Sequence, residues 1–138
     1  KRDARIAMNV PGRALLACAF ASAALTLSGP AQAREAADFT EAAFAQAQAQ
    51  GRTVLIDAYA PWCAACKVQE PLLAKVTDRE PYVDIVLLRI GMLTPETVWR
   101  RLGINAYGTL KLFRHGKGIA QGTPQDEAQL IRLLDKGR

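Results

Sequence analysis

The sequence predicts an α/β protein: three layers, a mixed central sheet between helices. Three observations carry this. Helical and extended periodicities alternate along residues 38–136. Two short runs, TVLIDAYA (53–60) and DIVLLRI (84–90), are apolar almost throughout, as strands covered on both faces are. Two further short segments, TLKLF (109–113) and GIAQG (118–122), flank a turn and read as an antiparallel hairpin. The resulting order, α-β-α-β-α-β-β-α, is met most economically by parallel crossovers closed by that hairpin, with helices on both faces of one sheet.

The elements are justified in turn. In DFTEAAFAQAQAQG, Asp38 is placed to cap a helix, Glu41 to complete a capping box, and Gly51 to stop it. Phe39, Ala43 and Ala47 recur at helical spacing. Asp57 interrupts the first buried strand, and a carboxylate there needs a reason. Pro61 and Trp62 break the strand. CAACKVQEPLLAKVTD continues as a helix with Val68, Leu72, Leu73 and Val76 as its apolar stripe, and Pro71 is expected to kink it. In TPETVWRRLGI, Thr94 is the expected cap, Pro95 the first helical position and Gly103 the end. DEAQLIRLLDK closes the chain as an amphipathic helix.

A length of 138 residues allows one domain beyond any targeting segment. The formal charge of +5 is uneven: the first 13 residues hold four basic side chains against Asp3, leaving +2 for the rest, too little to indicate a nucleic-acid partner. The basic opening leads into the short apolar run ALLACAFASAALTLS and then Ala31-Gln32-Ala33, a small-x-small cleavage pattern. The run is shorter than the roughly 20 residues of a bilayer span. Residues 1–33 are therefore read as a secretory signal and 34–138 as the domain, which is periplasmic or secreted and has no membrane span once the signal is removed.

Removal takes Cys18 away and leaves Cys63 and Cys66. They sit in YAPWCAACK, between the first strand and the helix after it. A bridge across two residues closes a tiny loop and staples a fold poorly. A zinc site needs three or four protein ligands, more than this pair and one distant histidine, His115, supply within one chain. Electron transfer suits the placement better. Cys63 falls at a helix amino end, where free N–H groups and the helix dipole favour a thiolate and depress the thiol pKa from about 8.5 into the 3.5–7.5 range. Cys66, one turn on, is within reach but more buried. The first sulfur can attack a foreign disulfide and the second can resolve the mixed disulfide.

With these residues the chain resembles the thioredoxin family. VLIDAYAPWCAACK matches that family's buried strand, redox motif and helix start, and Pro71 falls where its kink proline does. The resemblance covers about residues 36–136. It is similar in particular to periplasmic thioredoxin-like modules, among them the carboxy-terminal domain of the thiol reductase DsbD. The resemblance implies a thioredoxin-like fold and a thiol–disulfide oxidoreductase with Cys63 as nucleophile and Cys66 as resolving residue. Asp57 corresponds to the family's buried acid, which helps move the resolving cysteine's proton. The lysine that the family often sets near that acid has no evident counterpart in VLLRI, where Arg89 does not match the position. Asp57 is thus expected to be buried without a cation, its pKa raised. Trp62, Tyr107, Gly108 and Thr109 would line the protein-substrate groove.

The departure from the family is Gly108, which stands where a cis-proline precedes Thr109. A trans Tyr107–Gly108 bond is expected, since a non-proline cis bond costs about 2.5–4 kcal/mol. Recognition of partners is put in question more than reactivity. Ala64 and Ala65 add no charge between the cysteines, so a moderately reducing couple of roughly −200 to −270 mV is expected. The partners implied are disulfide-bearing protein substrates and an electron-donor thiol protein, with the protein a monomer and no cofactor needed. Two other classes stay open on the residues alone: a redox-inert binding module using the same groove, and a metal carrier using the same two cysteines.

Overall fold

A computed structural model describes residues 35–138. The expected signal segment, with Ala31-Gln32-Ala33 and Cys18, lies outside the described residues. Ten elements follow in order. These are β1 (Ala37–Asp38), α1 (Glu41–Ala49), β2 (Val54–Ala58), α2 (Ala64–Thr77), β3 (Val86–Ile90), α3 (Glu96–Leu102), β4 (Leu110–Arg114), β5 (Lys117–Gly122), α4 (Glu127–Leu134) and a closing 3-10 turn, Asp135–Gly137.

The strands form one sheet in the order β1-β3-β2-β4-β5. The β1–β3 and β2–β3 pairs are parallel, and β2–β4 and β4–β5 are antiparallel. All five residues of β2 are buried, as the central strand of a covered sheet must be. Successive side chains of a strand point to opposite faces. Leu55 joins Leu73, Val76, Leu110, Leu112 and Leu130 under α2 and α4. Val54, Ile56 and Ala58 join Ala47, Leu88, Ile90 and Leu102 under α1 and α3. The mixed three-layer arrangement therefore stands as expected. No helix among the described residues is long and apolar enough to cross a membrane.

Several details differ from the sequence reading. Asp38 does not cap α1. It lies in the two-residue strand β1, which pairs Asp38 with Arg89, while Thr40 caps the helix by accepting the Ala43 N–H at 3.0 Å. Glu41 forms no box and is ion-paired to Arg101. Thr94 does not cap α3. Its hydroxyl accepts the Gly91 N–H at 3.0 Å, and Pro95 holds the cap position without a side-chain bond. Helix α2 runs unbroken through Pro71, but its inner stripe is Cys66, Gln69, Leu73 and Val76, with Val68 42% exposed. The glutamine displaces the valine because Cys66 and Gln69, three apart, share the face turned to the sheet. The hairpin turns on His115 and Gly116, both at positive φ, a two-residue connection whose twist suits the flanking strands.

The revised stripe is testable by denaturation. Leu73→Ala should cost about 2–5 kcal/mol of unfolding free energy as a buried leucine truncation. Val68→Ala should stay within about 0.5 kcal/mol, as surface changes do. Comparable losses in urea titration would restore the stripe read from the sequence.

Candidate active site

Strand β2 delivers the chain to the edge of the sheet. Tyr59 and Ala60 follow, Pro61 and Trp62 turn the backbone, and Cys63 becomes the cap of α2. The Cys66 N–H donates to Cys63 Sγ at 3.2 Å, so the sulfur fills the role an oxygen usually has at a helix start. Cys63 and Cys66 form a disulfide, with Cα atoms 5.2 Å apart. Cys63 is half-buried and Cys66 is 1% exposed. One sulfur therefore faces solvent at the positive end of a helix, and the other is shielded behind it.

Beneath the pair lie polar groups. Asp57, 1% exposed, shares the β2 face of Leu55 and is turned toward α2. Cys66 Sγ lies 3.5 Å from the carbonyl oxygen of the next residue, Ala58. The expectation that Asp57 would lack a cation is corrected. Arg89, directly opposite in the β2–β3 register, donates from Nε to Asp57 Oδ2 at 2.9 Å. Arg89 also approaches Glu70 at 3.6 Å and lies over the Tyr59 ring, 3.9 Å from its centroid. The long guanidinium reaches the acid because a parallel register sets the two Cα positions side by side. Even so, Asp57 is held above its ordinary carboxylate range. Burial is the largest influence, Arg89 opposes it through its charge and hydrogen bond, and Glu70 adds to the rise. Asp57 Oδ1 is buried with no hydrogen-bond partner among the described residues.

The loop before β4 closes the site. The Tyr107–Gly108 bond is trans, as expected; among the described residues the cis bond is Glu80–Pro81. Gly108 is buried at φ +81°, and a Cβ placed on it would stand 2.9 Å from Ala65 Cβ and 3.4 Å from Cys63 Sγ. Glycine is therefore required here both by conformation and by the closeness of the cysteine loop. Its N–H donates to Ala58 O at 2.7 Å, and its carbonyl accepts from Gln69 Nε2 at 2.9 Å. Thr109 O accepts the Ala58 N–H at 3.1 Å, so Thr109 serves through its backbone. Trp62 is 60% exposed, its ring edge-on to Tyr107 at 5.7 Å, and Tyr107 meets Trp99 edge-on at 5.1 Å.

The structure thus brings Cys63, Cys66, Asp57, Trp62, Tyr107, Gly108 and Thr109 into one region. Sequence reasoning missed Gln69, whose signal was a polar residue at stripe spacing from Cys66. It also missed the contact of Trp99 with Tyr107, and it misjudged Arg89. Tyr82 is buried and donates to Asp135 at 2.7 Å, and His115 is exposed in its turn.

Comparisons with known proteins agree with this geometry. The family model described as Thioredoxin matches residues 35–136. Thioredoxin-1 of Saccharomyces cerevisiae is 34% identical over 95 residues, covering 69% of this chain and 90% of that protein. Protein disulfide-isomerase of Gallus gallus is 33% identical over 111 residues, 78% of this chain but only 22% of that longer protein. Among solved structures, Trxlp from Edwardsiella tarda EIB202 superposes with a TM-score of 0.66 at 29% identity, covering 72% of this chain and 98% of that one.

The raised pKa of Asp57 has a sign that stability measurements can read. Above its ordinary value of 3.8 the unfolded chain gives up this proton before the folded protein does. The folded state then binds more protons, so stability falls as pH rises from there toward the native pKa. Asp57→Asn should remove this decline, giving a flatter plot of unfolding free energy against pH above about 4. The slope is the quantity to compare, because loss of the Arg89 contact offsets the level. Parallel wild-type and variant curves would contradict the assignment.

Proposed function

The chain belongs to the thioredoxin family and is a thiol–disulfide oxidoreductase, and from that premise we propose that it works outside the cytoplasm, chiefly as a reductant of protein disulfides. The observation that carries the reading is the asymmetry of the pair: Cys63 half-exposed as the cap of α2, and Cys66 buried one turn behind it. The uncharged Ala64-Ala65 spacer supports the reducing direction, since no cation is added to favour the thiolate form. The basic and apolar opening that ends in Ala31-Gln32-Ala33 supports export.

In the reduced protein the Cys63 thiolate attacks one sulfur of a substrate disulfide. The substrate S–S bond breaks, its electron pair leaves on the second substrate sulfur, and that sulfur takes a proton from water. A Cys63–substrate disulfide results. Cys66 gives its proton to Asp57 and attacks Cys63 Sγ, which expels the remaining substrate thiolate and closes the Cys63–Cys66 disulfide. That thiolate takes up the proton Asp57 received, so the substrate has then gained two electrons and two protons and Asp57 is again a carboxylate. A dithiol donor protein returns the pair to the reduced state by the reverse exchange. Trp62 and Tyr107 present aromatic surface to the substrate, and Arg89 holds the carboxylate of Asp57 in place. Burial raises the pKa of Asp57 above its ordinary carboxylate range, the direction a proton acceptor requires.

Trapping tests this directly. Cys66→Ser, expressed in the native compartment, should accumulate disulfide adducts through Cys63 that dissolve on reduction. Cys63→Ser should form none and should lose protein-disulfide reduction by on the order of a thousandfold or more. A Cys63→Ser protein with full activity would leave the redox-inert binding module as the surviving reading. Amino-terminal sequencing of the mature protein after fractionation checks the location: a start near residue 34 in the exported fraction is expected.

A further inference from the structure

The loop carrying Gly108 presents an unsolved mechanical problem in the sequence. A glycine allows its backbone wide freedom, yet Gly108 sits against Cys63, where a substrate chain has to align. The structure holds the glycine by both of its peptide groups. The Gly108 N–H is bonded to Ala58 O at 2.7 Å, and the Gly108 carbonyl is bonded to Gln69 Nε2 at 2.9 Å. Ala58 belongs to β2 and Gln69 to α2, so the loop is tied to both elements that carry the site.

Gln69 is costly where it stands. It is 1% exposed, and its Oε1 is buried with no hydrogen-bond partner among the described residues. A leucine or methionine would fill the same space on the inner face without an unpaired carbonyl, so packing alone gives no reason for an amide. Among the described residues its one side-chain bond goes to Gly108.

We propose that Gln69 is a positioning residue, whose side-chain amide clamps the Gly108 carbonyl and so fixes the Tyr107–Thr109 backbone for docking of a protein disulfide beside Cys63. The clamp does the work that a locked ring would do at that position, and it acts on recognition without touching either sulfur. It sits three residues beyond Cys66 on the face shared with the resolving sulfur, which leaves the solvent-facing side of Cys63 open. The kinetic part rests on the oxidoreductase reading; the mechanical part does not.

Gln69→Leu removes the donor and the unpaired oxygen together, with little change of volume. Amide hydrogen exchange at Gly108 should speed up by roughly fivefold or more, as a local opening released from one of its ties. KM for a denatured protein disulfide substrate should rise on the order of threefold or more with kcat held within about twofold, the pattern of lost uniform binding. Alkylation of Cys63 by iodoacetamide should keep its wild-type rate. An unchanged KM overturns the proposal, whatever the exchange does. An alkylation rate that changes as much as KM also overturns it, because Gln69 would then act on the cysteine pair. Should Gln69→Leu not fold, Gln69→Met, unbranched and of similar length, is read by the same three measurements. Wild-type protein that leaves the substrate disulfide intact would defeat the oxidoreductase reading instead, and the exchange rate at Gly108 would then decide the clamp alone.

Discussion

Hydrogen bonding of β2 along both edges is the constraint on which the site depends. Parallel β3 and antiparallel β4 saturate the strand from either side, and helices cover both of its faces, so its end cannot drift. That end is where the chain must turn at Pro61 and begin α2. A fixed strand end fixes the helix start, and the helix start sets the two sulfurs one turn apart with one outward and one inward. The same end supplies Ala58, whose carbonyl lies near Cys66 and accepts from Gly108. A single buried peptide thus joins the redox pair to the loop opposite it.

Much of this was legible from residue order. Alternation of helix and strand, the two nearly unbroken apolar runs and the hairpin signal were sufficient for the three-layer fold, because those patterns reflect burial, and burial dominates the energetics. The cysteine pair was legible because strand, break and helix cap lie consecutively. What was not legible depends on register or on competition between equivalent local choices. Asp38 and Thr40 are both acceptable caps, and only the pairing of Ala37–Asp38 with β3 withdraws the first from the contest. Arg89 looked misplaced because strand spacing was judged along the chain, whereas the contact is made across it, at Asp57↔Arg89. Gln69 was hidden by a stripe chosen for hydrophobicity. The face turned inward was set by Cys66, and the polar residue came with it.

Three polar side chains, Asp57, Arg89 and Gln69, are set under the sulfurs in a region where an apolar core would be more stable. Each is incompletely compensated or shared. Asp57 keeps one oxygen unpaired, Gln69 keeps its carbonyl unpaired, and Arg89 divides its guanidinium among Asp57, Glu70 and the Tyr59 ring. Of the buried polar side-chain atoms without a partner among the described residues, Asp57 Oδ1 and Gln69 Oε1 lie here and Arg114 Nε lies at the far end of β4, a concentration of the kind functional sites produce.

Reactivity and recognition are built from different materials in this molecule. The sulfurs and Asp57 ride on β2 and α2, elements held by full ladders of backbone hydrogen bonds and by two apolar layers. Among the described residues, the Tyr107–Thr109 segment is tied to β2 only through Ala58, by the Gly108 N–H and the Thr109 carbonyl, and otherwise rests on Gln69 and on ring edges between Trp62, Tyr107 and Trp99. A change in the first set alters whether a thiolate forms and attacks. On the proposed function, a change in the second alters which disulfide arrives in line with it. If Gln69 clamps the loop as proposed, one of its ties is a removable side-chain contact, and partner choice can vary through a residue that never meets the substrate while the electron chemistry stays the same.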